Sequence, residues 1–576
     1  SRWYEHFSNV LNIRSLYDLD VFGTLEVRPI DEELAIPPSP EEVGRAIRAM
    51  ANGKAAGASG ILPELVKYGS SELHECLLAL LLTVWSTGGV PQEWRNAQLV
   101  PIPKRGDLSL CDNWRGISLL EVVGKMAGRL IQNRLQSRAE HLLPESQCGF
   151  RPNRGCADAV FTVRQLVEKA YEHRTKIFCI FVDLRKAYDS VPRAALYRAL
   201  SVLGIPPTLL KVIESFHDGM VAEVRVPGGV TDEIRVENGL RQGCVMAPIL
   251  FNLYLALVVE RWRSVLADRD PDIGIQFHYR LDGQLFNPAR RTRTYQQTAV
   301  VDVEYADDAN FVVGSREHAV LALTAFQDVS AEFGLTVSIP KTKFMVAGVG
   351  VTSVDTAGIP LHGQVVENVS SFVYLGSVIT PDARSAGDVS RRLSLASRAF
   401  GSLQDVFANR DLSLHVKRRL YNACVMTVLL YASECWCPLQ GDLRRLDSFH
   451  HQCIRSILCV SRTQQWEERI TNEQLREMWG DTSLLSSRLR KRRLEWLGHV
   501  ARMSDVRVPK QLLFGFLPSP RPACGPRRRW RDVISADLRH IGIEHLAWYG
   551  IAQDRSAWRV SAVGPSLGGP SHDQSQ

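Results

Sequence analysis

The stretch 301–313, VDVEYADDANFVV, places two adjacent aspartates between two apolar segments. Apolar residues at alternate positions before the aspartates predict a strand with one apolar face, and NFVV then predicts a second strand. Asp307 and Asp308 are expected to form the turn between the strands. Aspartate is an ordinary turn residue. However, two adjacent carboxylates repel each other and raise each other's pKa, a cost that a bound divalent cation removes.

A third carboxylate follows the other strongly apolar segment of the chain. In KIFCIFVDL, six consecutive apolar residues at 177–182 predict a buried strand that ends at Asp183. If this strand and the hairpin share one sheet, three carboxylates meet at its edge. Carboxylate oxygens are the ligands that Mg²⁺ prefers. Two such ions, about 3.5–4 Å apart, would suit a phosphoryl transfer.

Composition bounds the class of protein. The chain has 576 residues, of which 45% are hydrophobic, enough for several cores and about three or four domains. The longest apolar run, residues 77–85, is too short to span a bilayer, and the N-terminus lacks a signal-peptide pattern. Twelve scattered cysteines indicate reduced thiols and an intracellular protein. The chain starts without methionine, which fits a fragment of a longer product.

Two other segments contain residues of the kind that bind phosphate or metal. NGKAAGASG, residues 52–60, is a glycine-rich loop without the closing residues of a P-loop. The cysteines and histidines at 435, 437, 450, 451 and 453 fit no usual zinc spacing and lie among apolar neighbours. Core or helix-face positions are therefore the favoured interpretation for them, with zinc as the alternative.

A basic run predicts contact with nucleic acid. Residues 488–531 contain 13 Lys/Arg and two acids, within a net charge of +7. This density fits a phosphate-binding surface. Trp496, His499 and Trp530 lie among the charges as candidate stacking groups. The alternative is a solvated helix face.

The remaining pattern predicts an α+β protein with a helix-rich C-terminal half. Residues 61–175 and 192–218 look mainly helical, 222–239 look like a β-hairpin, and a long amphipathic helix follows. The polar segment 268–297 is expected to be an irregular loop. Short strands after residue 350 precede helices, and the tail GPSLGGPSHDQSQ is expected to be disordered.

Several ordered motifs together resemble the reverse transcriptase of a non-LTR (LINE-type) retrotransposon. They are, in chain order, VPIPKRGDLSLCDNWRGISLL, SQCGFRPNRGCADAV, FVDLRKAYDSV, NGLRQGCVMAPILFNLYL, YADD, GLTVSIPKTKFMV, FVYLGSVI, LEWLGHVARM and PRRRWRDVISADL. The resemblance implies a right-hand polymerase, with fingers, a palm built on an antiparallel sheet and a helical thumb. The expected domains are an N-terminal extension at 1–45, fingers and palm at 46–350, primer-grip hairpin and thumb at 351–480, and a basic nucleic-acid-binding region with a disordered tail at 481–576.

The resemblance also implies roles for individual residues. The metal ligands would be Asp183, Asp307 and Asp308, holding two Mg²⁺ with Mn²⁺ as a possible substitute. Lys341 would be the general acid, with Lys343 as a competitor. The nucleotide would contact Lys104, Arg115, Tyr188 (the gate against a 2′-hydroxyl), Gln242 and Gly243, and the primer grip would be Tyr374, Leu375 and Gly376. Nucleic acid would also contact Arg151, Arg492, Arg493, Arg527, Arg528 and Arg529. The alternative for each of these residues is a purely structural position, such as a turn acid, a core aromatic or a solvated surface charge.

The function that the resemblance implies is RNA-directed DNA synthesis from a primer 3′-hydroxyl, target-primed as in this family. The partners implied are an RNA template, a DNA primer or target and dNTPs, with no membrane. A catalytically inactive nucleic-acid-binding relative is the alternative, and a group II intron-type maturase is a third. The family also implies a ribonucleoprotein in nucleus and cytoplasm, and leaves the oligomeric state open. Cys148 and Gly116 depart from the frequent alanine and proline, which is expected to tune rather than abolish function.

Overall fold

The computed structural model describes residues 2–13, 15–104, 106–280, 283, 285–286, 295–522 and 528–564, and this part of the chain is mixed α/β with many helices. The strands are β1 (Ala97–Pro103), β2 (Trp114–Leu119), β3 (Lys176–Asp183), β4 (Val221–Val226), β5 (Gly229–Val230), β6 (Ile234–Arg235), β7 (Ile275–Tyr279), β8 (Gln296–Val300), β9 (Asp302–Tyr305), β10 (Asp308–Val313), β11 (Lys343–Gly348), β12 (Ile359–Leu361), β13 (Gln364–Asn368), β14 (Phe372–Tyr374), β15 (Ser377–Ile379) and β16 (Gly515–Phe516).

The α-helices are α1 (Arg2–Leu11), α2 (Pro40–Arg48), α3 (Pro63–Lys67), α4 (Ser71–Thr87), α5 (Gln92–Arg95), α6 (Val122–Leu142), α7 (Cys156–His173), α8 (Ala187–Ser190), α9 (Arg193–Val202), α10 (Pro207–Ser215), α11 (Ala247–Arg269), α12 (Arg316–Glu332), α13 (Ser353–Thr356), α14 (Ala386–Gly401), α15 (Gln404–Ala408), α16 (Leu414–Leu420), α17 (Thr427–Leu429), α18 (Gln440–Leu458), α19 (Arg462–Glu467), α20 (Asn472–Trp479), α21 (Leu485–Ala501), α22 (Val508–Leu513), α23 (Trp530–His540), α24 (Trp548–Gln553) and α25 (Arg555–Trp558).

A six-stranded sheet in the order β12–β13–β11–β3–β10–β9 forms the centre of the protein. β3 lies between β10 and β11 and pairs antiparallel with both. The strand predicted to end at Asp183 is β3, and the hairpin predicted from the stretch 301–313 is β9–β10. Both strand predictions are confirmed, and both strands belong to one sheet.

Burial on both faces explains why β3 is apolar throughout. Phe178 and Ile180 join the core that α11 and α12 form on one face, whereas Cys179 and Phe181 join the core with α7 on the other. A strand covered on both faces has no solvated side, so its sequence is a continuous apolar run rather than an alternating one. The helices thereby fix the sheet from both sides and leave only its strand ends open.

The segment 268–297 contains regular structure, contrary to the prediction of an irregular loop. Its ends form β7 and β8, which pair antiparallel, and β16 extends this sheet on the side of β7. Phe277 is fully buried against the C-terminal core. The prediction was wrong because β7 depends on a partner strand far downstream. Residues 281–282, 284 and 287–294 of this segment, and 565–576 of the tail expected to be disordered, lie outside the described residues.

The first 45 residues pack into the main core. Phe7, Phe22 and Leu34 are buried in the same cluster as α11. Gly116, in β2, makes this packing possible, because a Cβ there would lie 2.7 Å from Cε1 of Phe7. The departure from the family's frequent proline at this position is therefore an accommodation of α1.

The C-terminal helices cover the outer side of α7. The ring of Phe161 lies 5.6 Å from Trp496 and 4.9 Å from Trp530 between ring centroids, and both indoles are buried. These tryptophans are core residues, so the expectation that they are available to stack on nucleic acid is wrong. A third core joins α14, α16, α18, α20 and α21 into a helical bundle.

The expectations about membrane-spanning segments and about the cysteine and histidine cluster can be compared with the described part of the chain. No helix there combines the length and apolar character needed to cross a bilayer. In this part of the chain no group of three or more His, Cys, Asp or Glu is placed to hold an ion, and four members of the cysteine and histidine cluster are buried, which supports core positions: Cys435, His450, His451 and Cys453. His450 instead shares a buried hydrogen bond of 2.8 Å with the Tyr421 hydroxyl.

Candidate active site

The three predicted carboxylates lie together at one end of the central sheet. Asp183 is the last residue of β3, and Asp308, the first residue of β10, lies directly opposite it in the antiparallel register. Opposed residues in such a pair have Cβ atoms about 4.5–5.5 Å apart. The tertiary contact that the sequence could not establish is therefore present. The turn itself differs by one position, because Ala306 and Asp307 form it and Asp308 already belongs to the strand.

A buried glutamine holds this turn in an uncommon conformation. Ala306 has φ of 56°, which costs a non-glycine residue about 1–2 kcal/mol. The Gln147 side chain accepts hydrogen bonds of 2.8 Å from the backbone N–H groups of Ala306 and Gly149, and donates to the Ala306 carbonyl at 3.3 Å. Gln147 is therefore a positioning residue, and the sequence analysis missed it although it lies in the quoted segment SQCGFR.

Acidic residues of β9 extend this support behind the turn. Gln147 also donates to the Glu304 carboxyl at 3.3 Å. Burial and, next, the neighbouring Asp302 raise the pKa of Glu304 well above its ordinary value. Asp302 in turn accepts two hydrogen bonds from one Arg263 nitrogen, at 2.7 and 2.8 Å. The hairpin that carries the site thus rests on a connected buried polar network, which makes its geometry rigid.

The Gln147→Met variant is expected to lower kcat for primer extension by about 10–100-fold, because a misplaced turn moves Asp307 out of position. Methionine fills a similar volume but leaves two buried N–H groups without their acceptor. Steady-state extension kinetics should show the loss in kcat, with primer–template affinity retained. Gln440→Met, at an exposed glutamine, is the matched control. A parent-like kcat in Gln147→Met would exclude the positioning role.

The carboxylates lie in an environment that disfavours their ionised forms. Burial raises the pKa of Asp308 to about 6, and the charges of Asp307 and Asp183 add to the effect. The pKa of Asp307 is also raised, first by burial. Lys341 partly balances this charge, with its Nζ 3.2 Å from Asp183 Oδ2. Mutual repulsion of this kind is relieved when a divalent cation binds between the oxygens.

The donor set fits a hard cation, although the side chains are not gathered around one point. All three groups offer carboxylate oxygens, the ligand type that Mg²⁺ and Mn²⁺ prefer. In the described residues, no three acidic, histidine or cysteine side chains converge as a ready-made ligand cage. Asp183 is turned toward Lys341 instead. Rotation of these side chains on their fixed backbone would be part of cation binding.

The carboxylates line a cleft of about 590 Å³. Its other walls come from the β1–β2 hairpin, α1, α8 and the loop before α11. The cleft brings together every predicted catalytic and nucleotide-contacting residue, which are Lys104, Arg115, Asp183, Tyr188, Gln242, Gly243, Asp307, Asp308 and Lys341. Residues from six separate stretches of sequence thus share one solvent-accessible space.

Gln242 is oriented by an acid that the sequence analysis did not single out. Its Nε2 donates to Asp189 at 3.0 Å, and the backbone carbonyl of Gln242 accepts from the N–H of Ser118 in β2 at 2.8 Å. Burial raises the pKa of Asp189 to about 6. Gly243, with φ of 108°, packs so closely that a Cβ would lie 2.7 Å from the Ser118 carbonyl oxygen. Only glycine fits this contact.

Tyr188 has the rigidity that a steric gate requires. Its ring stacks on Phe251 with centroids 4.6 Å apart and an interplanar angle of 23°. Burial, and then the charge of Asp307, raises the pKa of its hydroxyl. The ring therefore lies beside the carboxylates, on the floor of the cleft, and is held from behind by α11.

Basic side chains face the carboxylates across the cleft. Burial lowers the pKa of Lys104, and Arg115 and Lys341 lower it further, which places these cations near one another. A cationic group of this kind fits the phosphates of a nucleotide. Lys343, the competitor for the role of general acid, instead pairs with Glu367 at 2.9 Å and does not line the cleft. The geometry thus favours Lys341.

The predicted primer grip is a hairpin, β14–β15, that packs on the α7 face of the sheet. Phe372 stacks on Phe181 at 4.1 Å, and the buried Tyr374 hydroxyl donates to the Val303 carbonyl at 3.2 Å. Leu375 and Gly376 form the turn, with φ of 45° and 80°. These residues do not line the cleft, so any contact with a primer would come from the turn and not from the buried tyrosine ring.

Most of the arginines predicted to bind nucleic acid are committed to internal contacts. Three of them are buried in ion pairs. Arg151 pairs with Glu140 at 3.1 Å, Arg493 with Asp537 at 2.7 Å, and Arg529 with Glu172 at 2.5 Å. The expectation that they form an open binding surface is wrong, because each is buried and neutralised by an acid of the protein itself.

Two of the other arginines in that prediction also contact the protein. Arg492 donates to the Leu430 carbonyl at 2.5 Å, and the exposed Arg528 donates to the Pro438 carbonyl. Arg527 lies outside the described residues. The basic run therefore contributes largely to packing of the C-terminal helices.

A sheet whose central strands β10, β3 and β11 pair antiparallel presents acids from a strand end and a hairpin tip beneath a basic hairpin, an arrangement that fits the palm of a right-hand polymerase. Residues 102–379 match the family described as reverse transcriptase (RNA-dependent DNA polymerase). The chain thus carries a reverse transcriptase domain of the kind found in non-LTR, LINE-type mobile elements, and the resemblance inferred from the motifs is confirmed.

Similarity to curated proteins extends beyond that domain. The chain is 24% identical over 412 residues to the RNA-directed DNA polymerase from mobile element jockey of Drosophila funebris, covering 70% of this chain and 42% of that protein. It is 23% identical over 453 residues to the probable RNA-directed DNA polymerase from transposon BS of Drosophila melanogaster, covering 75% and 46%. The chain spans less than half the length of these two relatives.

A likeness to a solved structure is weaker. The structure of apo telomerase from Candida tropicalis, truncated from the C-terminal domain, matches with a TM-score of 0.33 and 14% identity, over 54% of this chain and 59% of that one. That degree of likeness is too low to support a conclusion about the fold.

Proposed function

We propose that the chain is the RNA-directed DNA polymerase of a non-LTR retrotransposon and extends a primer 3′-hydroxyl on an RNA template. The observation that carries the proposal is the juxtaposition of Asp183 with the Asp307–Asp308 hairpin in a cleft lined by basic residues. An inactive nucleic-acid-binding protein would have no use for acids gathered where phosphates bind, with the charges of Asp307 and Asp183 helping to raise the pKa of Asp308.

The carboxylates would hold Mg²⁺, with Mn²⁺ as a substitute. Two ions at Asp183 and Asp307, with Asp308 contributing less directly, would supply charge neutralisation at the transferring phosphoryl group. Lys341 is placed to donate a proton to the departing pyrophosphate, since it lies beside Asp183 and in the cleft. Lys104 and Arg115 would orient the triphosphate.

The sugar and base of the nucleotide would contact the wall of the cleft formed by Tyr188, Gln242 and Gly243. Tyr188 leaves no room for a 2′-hydroxyl, because Phe251 prevents its ring from moving away. The Gln242 amide is held by Asp189, so it presents a fixed polar edge to a nucleotide. Gly243 allows the backbone to approach the substrate closely.

In this proposal the chain is a right hand. Residues 46–350 contain fingers and palm, the β14–β15 turn contacts the primer, and the helices of 351–480 that belong to the bundle, α14 to α20, form the thumb. Residues 481–576 would support them, and ion pairs such as Arg507–Asp158, 2.5 Å, attach that region to α7. Target priming, and a ribonucleoprotein in nucleus and cytoplasm, follow from the family resemblance alone.

Primer extension with purified protein tests the proposal. The assay contains an annealed DNA primer on an RNA template, dNTPs and Mg²⁺, with a Mn²⁺ series in parallel. Extension that depends on the template sequence is expected. Tight binding of the primer–template without extension in either metal would reject the polymerase and support the inactive alternative.

The Tyr188→Ala variant is expected to reduce discrimination against ribonucleotides by about 10–100-fold, because space opens beside the sugar 2′ position. Tyr188→Phe keeps the ring and should keep the discrimination, which makes it the matched control. The measurement is the ratio of kcat/KM for a dNTP to that for the corresponding rNTP. An unchanged ratio in Tyr188→Ala would remove the gate from the proposal.

A further inference from the structure

An open basic groove lies in the helical bundle, away from the residues of the catalytic cleft. It has a volume of about 830 Å³ and runs between α14, α18 and α19, with Asn472 of α20 at one side. None of the residues that line it also lines the cleft. Its walls carry four guanidinium groups together with hydroxyl and amide side chains, and the arginines are Arg444, Arg445, Arg455 and Arg462.

The positive charge of this groove is poorly balanced. No acidic residue is among the described residues that line it. Arg445 has one ion pair in the described residues, 3.7 Å from Asp442, and also donates to Ser390 Oγ at 2.9 Å. Arg444 donates to the Gln440 carbonyl at 3.4 Å, and Arg455 to the neutral Gln465 at 3.2 Å. Arg462 has no carboxylate partner in the described residues, and its charge, after burial, lowers the pKa of Arg455. These groups contrast with Arg493 and Arg529, each of which forms a close ion pair with a buried carboxylate.

An exposed indole adjoins the same charges. Trp466 is 81% exposed, whereas six other tryptophans are among the most deeply buried side chains of the described protein. It stands four residues after Arg462 on α19, so the two side chains share a helix face. Gln465, the residue before it, lines the groove. The exposed indole therefore offers an open aromatic face next to the groove, on which an unpaired base can stack.

We propose that this groove binds a single-stranded RNA or DNA segment, with its phosphates at Arg444, Arg445, Arg455 and Arg462 and a base stacked on Trp466. Guanidinium forks match phosphate oxygens, and an aromatic ring accepts any unpaired base. A paired base would keep its face within the duplex, so the ring selects single strands. The site is separate from the polymerase cleft and goes beyond the proposed activity.

Fluorescence anisotropy with labelled 12-nucleotide RNA and DNA tests the site without Mg²⁺ or dNTPs. Saturating unlabelled primer–template occupies the cleft, so the signal reports the groove. Trp466→Ala is expected to weaken binding about tenfold or more, and Trp466→Phe much less. The Arg455→Ala/Arg462→Ala double variant should make the negative slope of log K against log salt concentration shallower by about 1.4, because two phosphate contacts are lost.

The control removes the same charge elsewhere. Arg198→Ala/Arg269→Ala replaces two exposed arginines outside the groove and should leave the salt slope near that of the parent. Equal losses in both double variants, an unchanged affinity in Trp466→Ala, or a preference for labelled duplex would overturn the proposal. The RNA and DNA arms identify which strand is preferred. Because polymerisation is absent from the assay, an inactive parent would reject the proposed function and leave this test intact.

Discussion

The Asp307→Asn variant is expected to slow primer extension at least about a thousandfold, which corresponds to about 4 kcal/mol of transition-state stabilisation. The substitution keeps the size and the turn but removes one negative charge and one strong oxygen ligand. Binding of primer–template should persist, because the residue lies among acids and does not attract phosphates. Single-turnover extension at saturating primer–template separates this loss from any change in affinity.

The same variant should gain or keep stability when divalent cations are absent. Asp307 and Asp183 both contribute to the raised pKa of Asp308, so removal of one charge relieves repulsion at pH 7. Thermal unfolding in EDTA should therefore show a midpoint at or above that of the parent. A residue whose role were only to support the fold would lower activity and stability together.

Asp112→Asn is the matched control for this experiment. Asp112 lines the same cleft, but its side chain is 84% exposed and belongs to the loop between β1 and β2. The same chemical change there should leave extension close to the parent rate. Extension by Asp307→Asn within about tenfold of the parent would return the two aspartates to the status of ordinary turn residues.

The sequence was sufficient for the parts of the site that depend on local patterns. The continuous apolar run before Asp183 and the alternation before Asp307 are local signals of strands, and both strands are present. That the strands pair with Asp183 opposite Asp308 is a tertiary fact. This pairing could be expected from the sequence only because acids at two strand ends are best explained by a cation that they share. The structure does bring the two strand ends together.

The residues that hold the site in position could not be predicted from local sequence patterns. Gln147 lies 159 positions from the turn that it holds, and Asp189 lies 53 positions from Gln242. Neither has a local pattern that distinguishes it from an ordinary polar residue. Their roles depend on burial and on which backbone group faces them, and both follow from the tertiary fold.

Arginine-rich sequence proved the most misleading signal. Arg529 pairs with Glu172 across 357 positions, and Arg507 with Asp158 across 349, so a run with few local acids is neutralised by distant ones. The arginines that line the groove without an acidic residue among its described lining lie earlier, on α18 and α19. Charge counted along a sequence thus predicts a binding surface only when the tertiary partners are known.

A second large effect is expected at Asp388, the buried acid that ties the primer-grip hairpin to the helical bundle. Its Oδ2 accepts from Arg164 at 3.1 Å, from Ser377 Oγ at 2.6 Å and from Trp436 Nε1 at 2.9 Å. Arg164 and Asp388 are both buried. Loss of one partner from a buried ion pair leaves a desolvated charge and costs about 3–5 kcal/mol.

Asp388→Asn should therefore lower the free energy of unfolding by about 3 kcal/mol and loosen the hairpin before the rest of the protein unfolds. Hydrogen exchange of the amides in residues 372–379 measures the local effect, and chemical denaturation measures the global one. Asp405→Asn, at an exposed acid of α15 in the same bundle, is the matched control.

A double variant identifies the cause of the loss at Asp388. Arg164→Met/Asp388→Asn removes both charges of this pair and leaves Arg392, whose Nε lies 3.9 Å from Asp388 Oδ1, so it should be more stable than Asp388→Asn alone even though it lacks one more hydrogen-bonding group. If the unpaired guanidinium is the main cost, hairpin protection returns with it. Additive losses in the double variant would mean that the hydrogen bonds to Ser377 and Trp436, and not the buried charge pair, hold the hairpin against the bundle.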